Sequence, residues 1–107
     1  FPTGHPMPHW IGEDEIDWST VPIWDVTTPP PLSLSNAVQI ARADIEKSEG
    51  VIGWSLVSVT LANNDRRGAW LYEISFTNCH SQEWTDLYRI RRITMNGKVM
   101  RLIWPAL

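Results

Sequence analysis

Trp70-Leu71-Tyr72-Glu73-Ile74-Ser75-Phe76-Thr77 alternates strictly: Trp70, Tyr72, Ile74 and Phe76 fall on one side, Leu71, Glu73, Ser75 and Thr77 on the other. A period of two places one side chain set against a core and leaves the other half-solvated, which is the mark of a β-strand. Working outward, Trp54 to Leu61 shows the same alternation, with Val57, Val59 and Leu61 opposed to Ser58 and Thr60. A polar turn, Asn63-Asn64-Asp65-Arg66-Arg67-Gly68, joins these two strands. Beyond them, residues 78–85 read as a loop, Leu87 to Met95 as a third strand and Lys98 to Trp104 as a fourth.

Asn96-Gly97 sits between the last two strands and predicts a two-residue type I′ hairpin turn. That register sets Ile93 opposite Met100, Ile90 opposite Ile103, Arg92 opposite Arg101 and Arg89 beside Trp104. Two arginines directly opposed repel by up to about 1 kcal/mol, so either an anionic group lies near or a bulge shifts the register. Upstream of all four strands, Val38, Ala41 and Ile45 recur at helical spacing, with Ala37 and Ile40 widening the apolar stripe. Ser33 is placed as the N-cap and Gly50 as the left-handed stop, giving a helix over about 34–48 with Arg42, Glu46 and Lys47 on its solvent side.

The first 31 residues behave differently. Proline at 2, 6, 8, 22, 29, 30 and 31 excludes a long helix or a central strand. Trp10, Ile11, Ile16, Trp18, Val21, Ile23, Trp24 and Val26 are nonetheless too apolar for a disordered tail. The sequence therefore predicts two parts: residues 1–31 as an extended acidic arm that docks through Trp10, Trp18 and Trp24, and residues 32–107 as an α+β domain. In that domain one helix packs on a four-stranded antiparallel sheet, entered through the stiff spacer Pro29-Pro30-Pro31.

Charge follows the same division. Residues 1–41 hold no Lys or Arg and five acids, net −5, whereas residues 42–107 hold nine basic residues and seven acids, net +2. The overall charge of −3 argues against nucleic acid as a partner. With 107 residues the chain suits a single small domain, and its seven Trp supply bulky apolar area. Cys79 is the only cysteine, so no internal disulfide forms. No apolar run reaches the roughly 20 residues a membrane-spanning helix needs. A chain opening Phe1-Pro2-Thr3 reads as processed or trimmed, and removal of an export signal is one explanation, pointing to a secreted or periplasmic location.

Three segments resemble the PepSY domain family, small extracytoplasmic modules with a helix followed by an antiparallel sheet. Leu34-Ser35-Asn36-Ala37-Val38-Gln39-Ile40-Ala41 is similar to the family's helix start, Gly68-Ala69-Trp70-Leu71-Tyr72-Glu73-Ile74-Ser75-Phe76 to its central strand, and Asn96-Gly97-Lys98-Val99-Met100 to its closing hairpin. The acid usual before that hairpin is missing, with Ile93, Thr94 and Met95 in its place, and the Trp-rich arm has no family counterpart. The resemblance implies a module that restrains a peptidase or senses a peptide, and it carries over no residue-level site. A cystatin-like sheet wrapped on a helix gives the same pattern.

Chemistry-bearing residues are few. Cys79-His80 are neighbours at a strand end and point apart, which is poor geometry for thiol activation. His5 and His9 would share a helix face for a metal, but Pro6 and Pro8 remove the helix, and even with Glu13 near no metal site is expected. Glu13, Asp14, Glu15 and Asp17 read as a hydrated turn rather than a catalytic pair. Arg89, Arg91, Arg92 and Arg101 form a cluster that the acidic arm would neutralise by folding back. The sequence thus predicts no enzyme, no cofactor and no metal, but a binding or regulatory module for a protein or peptide, with dimerisation open. The alternative is a small-ligand binder using Trp70, Tyr72, Arg89, Arg92 and Arg101 on the sheet.

Overall fold

A computed structural model describes residues 9–12, 15–64, 68–78 and 87–103. The fold is α+β: one helix and a five-stranded antiparallel sheet in the order β1-β5-β4-β3-β2. The helix α1 (Leu34–Glu49) starts at Ser33, whose side chain accepts the Asn36 amide at 3.2 Å, and stops at Gly50 in the left-handed conformation, φ 68°. The strands are β1 (His9–Ile11), β2 (Trp54–Asn64), β3 (Ala69–Asn78), β4 (Leu87–Thr94) and β5 (Val99–Ile103).

The core lies between α1 and one face of the sheet. Ala37, Ala41 and Ile45 of the helix meet Trp54, Tyr72, Ile74, Phe76 and Ile93. Small helix residues opposite large strand residues let the two layers approach closely. Residues from the arm close the open end of this layer. Val21 is buried, and Ile16, Trp18, Trp24 and Leu32 pack against the same cluster. Trp24 meets Trp70 edge to face at 5.8 Å and donates from Nε1 to the Thr28 carbonyl at 2.7 Å.

Three sequence expectations change. The sheet has five strands rather than four, because His9–Ile11 pairs with β5, setting His9 opposite Ile103 and Ile11 opposite Arg101. A three-residue strand at the sheet's rim is compatible with the surrounding prolines, since an edge strand needs donors on one side only. The last hairpin is not a type I′ turn. Gly97 has positive φ but Asn96 does not, the Gly97 amide donates to the Thr94 carbonyl, and the Thr94 amide donates to Lys98. A three-residue loop with a glycine bulge results, and it shifts the register so that Arg91, not Arg92, faces Arg101, while Arg92 faces Met100. In β2 the pairing slips between Leu56 and Ser58, so Val57 is the extra residue of a bulge, and Leu56, Val59 and Leu61 oppose the core residues Phe76, Ile74 and Tyr72 of β3.

Candidate functional site

The arginine cluster divides between the two faces of the sheet. On the helix face Arg91 and Arg101 lie opposite each other, and Asp44 of α1 sits between them. Arg91 Nε donates to Asp44 Oδ2 at 2.7 Å, while Arg101 Nε donates to Oδ2 at 3.0 Å and its Nη2 to Oδ1 at 2.8 Å. Arg91 also reaches Ser48 Oγ at 3.1 Å. The Arg91 side chain is 5% exposed and that of Asp44 16%, so the pair is substantially desolvated. Burial by itself raises the Asp44 carboxyl, but the hydrogen bonds from Arg101 and Arg91 outweigh it and hold the group below the ordinary carboxylate value. The anion that the opposed arginines require thus comes from the helix. Two of the arm's acids serve it locally instead: Asp17 caps the 3-10 turn Trp18–Thr20, and Asp25 accepts from the Thr27 amide.

Arg89 forms an ion pair with Glu49, whose carboxyl is lowered chiefly by that hydrogen bond, and lies over the Trp54 ring at 5.8 Å. Trp104, its expected aromatic neighbour, is outside the described residues. Arg92 points to the opposite face, 4.3 Å over the ring of Trp10 and 3.7 Å from Glu73. Arg42 is not on the solvent side of the helix: it is half-buried, with its guanidinium 5.5 Å over Phe76.

Trp70 and Tyr72 sit at the other end of the sheet. Tyr72 is 2% exposed, its hydroxyl donates to the Leu32 carbonyl at 2.7 Å, and burial pushes its phenol up. Trp70 is engaged by Trp24. The five residues singled out for a pocket are therefore not convergent. Arg89 and Arg91 line a recess of about 400 Å³ with Tyr88, Ile90 and Leu102, whereas Tyr72 contributes to a separate groove of about 350 Å³ with Pro30, Leu34, Val59 and Leu61. Cys79, His80, His5, Glu13 and Asp14 lie outside the described residues, and among the described residues no group of three His, Cys, Asp or Glu could hold a metal ion. Among the described residues no helix is long and apolar enough to cross a membrane.

The surface that sequence reasoning missed is the outer edge of β2. Among the described residues this strand ends the sheet; it runs for 11 residues and carries neither charge nor proline. Leu56, Val57 and Leu61 are exposed along it, and Leu34, 52% exposed, flanks it from the helix. Protein edges are ordinarily blunted by charge, proline, shortness or a bulge, and of these β2 has the bulge at Val57 alone among the described residues. The signal was present as an uncharged run from Trp54 to Asn64, but nothing in a strand's own sequence says whether it lies at the rim.

Comparison with protein-family models, with curated proteins and with solved structures finds no match to this chain.

Proposed function

We propose that this chain is a non-enzymatic binding module of the cell envelope or exterior that captures an extended segment of another protein along the outer edge of β2. The observation that carries the reading is the long, uncharged outer edge of β2, interrupted by the bulge at Val57 and uncovered among the described residues, beside an apolar groove. Unpaired backbone donors and acceptors on such an edge accept a further strand, and a flanking groove sorts its side chains. The PepSY resemblance implies a peptidase as one such partner. The small-ligand reading has less support, because the guanidinium groups at the Tyr88–Leu102 recess already face Asp44 and Glu49.

Random nine-residue peptides displayed on phage and selected against the full chain test this reading. Selected peptides should alternate apolar and polar residues, and they should lose binding to the Thr60→Lys/Leu61→Lys chain, whose edge carries charge. Peptides that bind both chains equally would place the contact elsewhere.

A further inference from the structure

The two flanks of α1 are occupied differently. Asp44 and Ser48 turn toward Arg91. On the other flank, Leu34 shares the groove with Val59 and Leu61, and Arg42 covers Phe76, the strand partner of Leu56. Leu34, Val38 and Arg42 thus face the β2 side, as helical spacing requires. Arg42 is singular there. Its Nε is buried without a hydrogen-bond partner, and no carboxylate pairs with it among the described residues. The other helix-facing arginines, Arg89, Arg91 and Arg101, all have one.

The spacing of these features matches a strand. Leu34 and Arg42 are separated by about 12 Å of helix at about 1.5 Å per residue. Tyr72 and Phe76, the β3 residues beneath them, are about 13 Å apart at roughly 3.3 Å per residue. β2 spans that distance from Leu56 to Leu61 with one extra residue, the bulge at Val57. A regular ligand strand beside it covers the distance in about four positions, two positions separating side chains on the same face. Every pairing in the sheet is antiparallel, so a segment added in the same sense meets the groove at Leu61 first and Arg42 afterwards.

We infer that the segment captured at β2 is acidic, carrying an apolar side chain for the Leu34–Leu61 groove and, four positions further on, an Asp or Glu whose carboxylate pairs with Arg42. This rests on the strand-capture reading and names the chemistry of its partner. A guanidinium on an aromatic ring, short of a hydrogen-bond acceptor, is a receptor for a carboxylate, and the uncharged strand beside it offers no competing charge.

Parallel selections from the same phage library, on the wild-type, Arg42→Gln and Arg42→Lys chains, test the inference, each chain first shown to melt cooperatively. Wild-type selections should be enriched in an acidic residue four positions after an apolar one. Arg42→Gln selections should keep the apolar alternation and lose the acid, and Arg42→Lys should retain part of the preference. A synthetic peptide from the wild-type selection should bind at least about tenfold more tightly than its Glu→Gln or Asp→Asn analogue. On Arg42→Gln the two should bind alike. Alternating peptides without acid enrichment, or equal enrichment on both chains, would overturn the acidic partner and leave strand capture standing. No enrichment of any kind on the wild type would overturn both. A concentration-dependent dimer whose β2 amides are already protected from hydrogen exchange would assign the edge to a second copy and also overturn it.

Discussion

The two rims of the sheet are opposites. At one, β5 is covered by the three residues of β1, and Arg101 beside that junction is tied to the helix through Asp44. At the other, β2 runs 11 residues with nothing against it among the described residues. Both rims belong to one small layer, so the contrast shows where the chain spends its ordering. It closes one rim with residues remote in sequence and, among the described residues, leaves the other uncovered.

The contrast can be broken most severely from the closed side. A chain beginning at Leu32 loses β1 together with Val21, Trp18 and Trp24, and exposes the core they cover. It should lose cooperative melting and shift its Trp emission to longer wavelength. Unchanged melting would show that the arm contributes nothing to the core. Asp44→Asn comes next. It leaves Arg91 and Arg101 opposed without an anion, and breaking a buried pair costs about 3–5 kcal/mol, toward the lower end here because Arg101 is 42% exposed. Chemical denaturation measures the loss.

The same carboxyl sets a pH dependence. Its folded value lies below the unfolded one, so its contribution is fully present above the unfolded value, near 3.8, and is lost as pH falls through the folded value. The wild-type melting temperature should therefore drop below about pH 4, and Asp44→Asn should remove part of that drop. Trp10→Ala, which takes the ring from beneath Arg92, should cost about 0.5–1 kcal/mol in the same denaturation series. Smallest of all, Thr60→Lys on the open rim should change stability by less than about 0.5 kcal/mol, since the residue is exposed and faces Glu73. A larger loss would mean that the open rim is structurally engaged after all.

The parts legible in the sequence are those governed by local rules. Ser33 and Gly50 bound the helix because capping is a matter of a few adjacent residues. Trp70 to Phe76 revealed its strand because a regular alternation survives any tertiary context. Asn96-Gly97 pointed to the right place and the wrong turn. The Thr94 hydroxyl accepts the Lys98 amide at 3.0 Å and bonds with Asn96, which favours a longer loop and moves the register by one. That slip changed which arginine faces Arg101. Asp44 was passed over because its role depends on which helix flank overlies β4, a fact of packing and not of spacing. β1 was invisible because three residues hold no period. For the candidate site, the uncharged character of β2 could be read and its position at the rim could not.

The junction of His9–Ile11 with Arg101–Ile103 joins the beginning of the described chain to its end. Closing a loop of that length costs conformational entropy that three residue pairs repay only once the intervening hairpins already exist. The seal on the closed rim is therefore a late event of folding and an early one of local opening, and its amides should exchange before those of the central strands. Until it forms, the β5 rim of the nascent protein is also uncovered, and its exposure to mispairing is set by the time taken for the first strand to find the last.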